Sequence, residues 1–221
     1  CSPSAARSHT AHSRRPWARQ QNAGPFLLMT DQKSTPRQTR RQPRKVTSTS
    51  LRNAALYYLQ RYAASAENLR EVLTRRVRRA ERHHETDREE AAAWIDDLVK
   101  DFQQSGLLDD RTYADGRVQS MFRQGRSRRL MMLDLRKKGV PADIVDAALA
   151  ALAAENHAPD QTAALRYVQR RRLGPYRLRS REDYRDRDLA AVARAGFDYD
   201  TARRVIDAET RESLEEDFLQ D

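Results

Sequence analysis

The segment Asp110-Arg-Thr-Tyr-Ala-Asp-Gly-Arg-Val-Gln119 returns fifty residues later as Asp160-Gln-Thr-Ala-Ala-Leu-Arg-Tyr-Val-Gln169. Aspartate, threonine, alanine, valine and glutamine hold the same places in both copies, which is how a duplicated structural unit shows itself. A second pair follows: Gly139-Val-Pro-Ala-Asp143 with Val145 and Leu149 matches Gly196-Phe-Asp-Tyr-Asp200 with Ala202 and Ile206, fifty-seven residues on. The seven-residue difference falls in residues 173–183, an arginine-rich insertion around Gly174-Pro175-Tyr176.

The spacing of apolar residues places three helices in each unit. Leu51, Ala55, Tyr58, Leu59 and Tyr62 mark the first helix, and Leu69, Val72, Leu73, Val77 and Ala80 the second. The third opens at a capping box of Thr86 with Glu89, runs through Ala91, Ile95, Leu98 and Phe102, and stops at Ser105-Gly106. Asp109 or Asp110 caps a fourth helix (Tyr113, Ala114, Val118, Met121, Phe122) that Gly125 closes. A fifth helix spans residues 128–138 and ends at Gly139; Pro141 opens the sixth. The seventh starts near Asp160, the eighth spans residues 182–195 before Gly196, and the ninth begins near Asp198. The expected fold is all-α: three tandem three-helix repeats (about 51–106, 109–155 and 159–209) within a domain of residues 49–210, followed by an acidic end, 211–221. Such units stack into an elongated, curved body in which each covers its neighbour's apolar face. Trp94 then belongs at a core or half-buried position, and Tyr113 packs between units.

Residues 1–48 read differently. Five of the eight prolines lie in the first fifty positions, among Ser, Thr, Gln and Arg, so disorder is expected of this basic tail. Met29-Thr30-Asp31-Gln32 looks like an ordinary protein start, and residues 1–28 are read as lying upstream of it. The tail also explains the charge. Of the net +10, it supplies +9, from ten Lys and Arg against Asp31; the remaining residues hold 32 basic and 31 acidic side chains. The longest apolar run, residues 147–154, is far short of the ~20 needed to span a bilayer. A single cysteine, Cys1, excludes an internal disulfide framework, so a cytoplasmic protein is expected.

No catalytic pattern is present. There is no phosphate-binding glycine loop, no G-x-S-x-G and no cysteine pair for zinc. His83-His84 point about 100° apart on a helix, a poor grip for one metal. Neither enzyme activity, metal nor cofactor is expected. Two basic clusters remain. Arg123, Arg126, Arg128, Arg129, Arg136, Lys137 and Lys138 face only Asp134, and a run from Arg166 through Arg170-Arg171-Arg172 to Arg177, Arg179, Arg181, Arg185 and Arg187 faces Glu182, Asp183 and Asp186. Such clusters suit phosphate backbones or an acidic protein surface.

Three motifs, in order, resemble the RecX regulatory proteins. Gly106-Leu-Leu-Asp109-Asp110-Arg-Thr-Tyr113-Ala114 looks like that family's G-[YF]-[LI]-[DN]-D-x-x-[YF]-A junction, with Leu107 in place of the aromatic. Arg123, Gly125, Arg128-Arg129-Leu130 and Leu135-Arg-Lys-Lys-Gly139-Val140 resemble its second repeat. Leu189-Ala-Ala-Val-Ala-Arg-Ala-Gly196-Phe197 is similar to the end of its third. The resemblance implies a monomeric regulator that binds the RecA–DNA filament and inhibits recombinase, ATPase and co-protease activity, touching DNA repair and the SOS response. It implies contacts to RecA or to single- or double-stranded DNA through Arg123, Arg126, Arg128, Arg129, Arg136, Lys137, Lys138, Arg170, Arg171 and Arg172, and no membrane. Gly106, Asp109, Asp110, Tyr113, Ala114, Gly139, Gly196 and Phe197 are then structural. The alternative from the residues alone is a direct DNA-binding regulator of helix-turn-helix type.

Overall fold

Side-chain caps and left-handed glycines cut residues 45–219, the part of the chain that the computed structural model describes, into helices. They are α1 (Ser48–Leu59), α2 (Ala66–Ala80), α3 (Arg88–Gln104), α4 (Asp110–Arg123), α5 (Arg128–Lys137), α6 (Ala142–Glu155), α7 (Pro159–Arg171), α8 (Arg185–Arg194), α9 (Tyr199–Asp207) and α10 (Arg211–Leu219). No strand occurs among the described residues. The expectations for residues 1–44 lie outside them. The all-α repeat architecture is as the spacing predicts: α1–α3, α4–α6 and α7–α9 are the three units. Their folded part takes in Val46, which is buried, and Thr47, which caps α1 reciprocally with Ser50.

Two local expectations are corrected. The cap of α3 is Asp87, whose carboxylate accepts from Glu89 N and Glu90 N, while the Thr86 hydroxyl donates back to His84 O. A carboxylate set immediately before the helix reaches two of its orphan N–H groups, so the Thr86–Glu89 box does not form. Helix α8 starts at Arg185 rather than at 182, after a turn at residues 181–184, and its Asp188 accepts from Gly174 N (3.1 Å) and Arg177 Nε (3.0 Å). The acidic end is a helix, α10, seated on α7 by the buried Leu214. Glu215 on it accepts from Gln169 Nε2 at 3.0 Å and from the Tyr176 hydroxyl at 2.6 Å. Burial and that carboxylate push the Tyr176 phenol up to about 12.

The apolar core has two parts. Residues of α1–α3 and Leu108 form one cluster, around Leu51, Leu69, Leu73, Val99 and Phe102. Residues of α4–α9 with Leu173 and Leu214 form the other, in which Met121, Leu135, Leu149, Val168 and Ile206 are almost wholly buried. Trp94 is half-buried against the first cluster, and Tyr113 half-buried against the second.

The repeats are joined by one polar arrangement used twice. Ser65 caps α2 by accepting from Asn68 N, and its hydroxyl donates to the carbonyl of Lys138 at the end of α5. Ala66 N donates to Asp110 Oδ1 at 2.8 Å. At the next joint Ser127 caps α5 and donates to Ala195 O (2.7 Å), while Arg128 N donates to Asp160 Oδ1 (2.7 Å). Asp109 alone caps α4; Asp110, its neighbour, reaches across to cap the previous repeat. Gly139 and Gly196 sit at the approach: a Cβ on Gly139 would stand 2.3 Å from Glu67 Cβ, and one on Gly196 2.7 Å from Ser127 Oγ.

Candidate functional site

The second joint positions a basic cleft. Helix α4 ends at Arg123, and Gly125 turns the chain at φ +68°, so close to α7 that a Cβ there would lie 2.7 Å from Tyr167 N and 2.9 Å from Ala163 O. Only glycine allows that approach. The turn delivers Arg126, then Ser127 starts α5. Across from it α7 presents Tyr167, Arg170 and Arg171, and α8 presents Arg194; these four arginines, with Leu130 and Ala191, line one cleft. No carboxylate lines it, and none of the four arginines has an ion-pair partner among the described residues.

Tyr167 is fixed at the floor. Its ring packs tilted against Phe197 at 5.9 Å, its hydroxyl donates to Ala191 O, and the Arg171 guanidinium lies 5.8 Å above it. Four cations converging without a counter-charge hold a local positive potential and attract an anionic partner. A cleft of this composition can bind phosphate or carboxylate groups through charge-assisted hydrogen bonds.

The remaining basic residues separate by role. Arg128 and Arg129 are exposed in the first turn of α5, and Arg136 and Lys137 in its last, about 12 Å further along the axis. Leu133, 49% exposed, stands between them. Lys138 is half-buried at the first joint, where its ammonium donates to Asn68 Oδ1 at 3.2 Å. Arg123 is exposed at the end of α4, and Arg172, left-handed at φ +55°, is exposed at the end of α7. The exposed cations of α5 are therefore two patches at opposite ends of one helix.

Four of the nine arginines of the second cluster are tied into the fold. Arg166 stacks 4.4 Å over Phe122 and donates to its carbonyl. Arg177 pairs with the buried Asp188, a bond that holds its guanidinium pKa above the ordinary value. Arg181 donates to the carbonyls of Ile206, Ala208 and Glu209, closing the end of α9. Arg185 grips Asp207 with two bonds of 2.7 Å and pulls the Asp207 pKa down. These arginines hold the insertion and α8 in place. Sequence reasoning missed Arg194 and Tyr167 as cleft residues, because neither belongs to a charge run. The available signal was that Tyr167 stands one residue before the matched Val168 and Arg194 two residues before Gly196 in the third-repeat motif.

Comparison with known proteins agrees with this architecture. Residues 109–149 match the family model described as RecX, second three-helix domain. The regulatory protein RecX of Myxococcus xanthus is 45% identical over 170 residues, covering 76% of this chain and 90% of that protein. The chain belongs to the RecX family. The regulatory protein RecX of Agrobacterium fabrum is 31% identical over 171 residues, 77% of this chain and 88% of its own. Among solved structures, RecX from Lactobacillus salivarius superposes with a TM-score of 0.50 at 20% identity, over 72% of this chain and 94% of that one. A further crystal structure of a regulatory protein RecX gives a TM-score of 0.52 at 19% identity, over 72% and 71%. At such identities the structures speak for the RecX fold alone. No helix among the described residues is long and apolar enough to cross a membrane.

Proposed function

We propose that this RecX-type regulator binds the DNA filament of the RecA recombinase in the cytoplasm, as a monomer, and lowers its ATPase, strand-exchange and co-protease activities. The observation that carries the reading is the cleft at the second joint: Arg126, Arg170, Arg171 and Arg194 around Tyr167, with no carboxylate to neutralise them. The exposed patches of α5, Arg128 with Arg129 and Arg136 with Lys137, extend the cationic surface of the second repeat. A filament offers both phosphates and acidic side chains to such a surface. The role is one of binding, and the chain needs no catalytic group for it.

The test is RecA's DNA-dependent ATPase, titrated with the full chain. Replacing Arg126, Arg170 and Arg171 together by Ala should raise the concentration needed for half-inhibition about tenfold or more, with helicity by circular dichroism unchanged. A second variant, with Ala at Arg128, Arg129, Arg136 and Lys137, should shift the same curve in the same direction. Undiminished inhibition by both variants would overturn the reading.

A further inference from the structure

The α1–α2 face of the first repeat carries charge that the fold does not absorb. Arg75, Arg76 and Arg79 are exposed on α2, and none has an ion-pair or hydrogen-bond partner among the described residues. The nearby acids are engaged elsewhere or face away. Glu67 and Asp96 pair with Arg70, Glu81 with Arg88, and Asp101 with Arg52. Glu71, the nearest acid on α2, lines the groove on the α3 side, which Arg75 also borders, and makes no ion pair with it. On the α1 side, Arg75, Arg76 and Arg79 line a groove with Lys45, Asn53 and Tyr57, and no carboxylate among the described residues enters it. The Tyr57 ring is 56% exposed and braced on one face by the Arg61 guanidinium, 4.2 Å above its centre.

The geometry points to a single-stranded nucleic-acid site in this groove: Arg75, Arg76, Arg79 and Lys45 follow the phosphates, and a base stacks on the Tyr57 face that Arg61 leaves open. Arg75 and Arg79 stand one turn apart on one side of α2, about 6 Å along its axis, and so meet successive phosphates of an extended strand. A cationic groove beside an aromatic platform is the arrangement that binds unpaired bases without regard to sequence. A duplex keeps its bases stacked inside and gains nothing from the ring. An acidic protein segment would use the arginines and leave the ring idle. This site lies on a different repeat from the cleft of α5, α7 and α8, and its test contains no recombinase.

The measurement is fluorescence anisotropy of a labelled oligo(dT) strand titrated with the full chain at several salt concentrations. The variant with Ala at Arg75, Arg76 and Arg79 should bind more weakly and should flatten the slope of log K against log salt by about 2, three phosphate contacts at ~0.7 each. Tyr57→Ala should weaken binding about fivefold or more, and Tyr57→Phe should restore it. Circular dichroism checks that each variant keeps its helices. The proposal falls if the triple variant keeps both affinity and slope, or if Tyr57→Ala binds as the parent does. It also falls if duplex DNA, or poly-glutamate as competitor, engages the site as well as oligo(dT). RecA inhibition, measured separately, decides the filament reading and leaves this one untouched.

Discussion

At the first joint Ser65, Asp110 and Gly139 bring α2 against the end of α5; at the second, Ser127, Asp160 and Gly196 bring α5 against the end of α8. The polar parts correspond one for one, yet what lies beneath them differs. Under the second joint a single apolar cluster runs through α4–α9, so the second and third repeats share a core. The first repeat keeps a cluster of its own, ending at Leu108. Hydrogen bonds of this kind are each worth about 0.5–1.5 kcal/mol net, whereas burial of a single Leu contributes about 1.5–3 kcal/mol. The polar joint therefore sets register, and the shared core sets strength. The first repeat should behave as a separate cooperative unit.

The largest test of that contrast is Leu165→Ala in the shared cluster. It should cost about 2–5 kcal/mol in chemical denaturation and lower amide-exchange protection across α4–α9 together. Equal loss of protection in α2 and α3 would break the contrast. Next come two glycines of similar φ. Gly125→Ala drives a Cβ into the α7 backbone and should cost about 2–5 kcal/mol, from left-handed strain plus overpacking. Gly106→Ala meets nothing within 4 Å and should cost only the strain, about 1–2 kcal/mol, read as a smaller fall in Tm.

Smaller still are the acids that cap across the joints. Asp110→Ala and Asp160→Ala should each cost about 0.5–2 kcal/mol. The first should speed amide exchange throughout α1–α3, and the second should affect little beyond the first turn of α5, where the shared core holds the repeats together. The mildest effect is acid. Thr112 and two backbone N–H groups hold the Asp109 carboxyl below its ordinary value, and Thr201 does the same for Asp198. A depressed folded value means this stabilisation is present above the ordinary carboxylate pKa of 3.8 and is lost as pH falls through the folded value. Thermal melts below pH 4 should show α4 and α9 weakening, and Asp109→Asn should flatten that acid dependence.

Much of this was legible in the sequence because it is local. The apolar stripes of α2 and α9, the caps at Asp109 and Asp198, and the stops at Gly106, Gly125, Gly139 and Gly196 each arise within a few neighbouring residues. What was not legible is set by distance. Asp110 caps a helix 44 residues upstream and Asp160 one 32 residues upstream, and no spacing rule announces such pairs. Helix α10 was not legible because Leu214, a buried anchor, sits amid Glu212, Glu215, Glu216 and Asp217. Charge counting failed in both directions. It promoted Arg166, Arg177, Arg181 and Arg185, which the fold uses internally, and it passed over Arg75, Arg76 and Arg79, whose neighbouring acids balance the tally without pairing with them.

The joint bonds also have an evolutionary side. In each joint half of the partners are main-chain atoms: the N–H groups of Ala66 and Arg128, and the carbonyls of Lys138 and Ala195. Apart from proline at the two N–H positions, any side chain of tolerable size can occupy those four positions without breaking the bond, so only a serine, an aspartate and a glycine need be kept per copy. Such a coupling behaves as an interchangeable fitting. Units bearing it can diverge in surface chemistry, one acquiring a cationic cleft and another a tyrosine beside arginines, while still clicking into the same row.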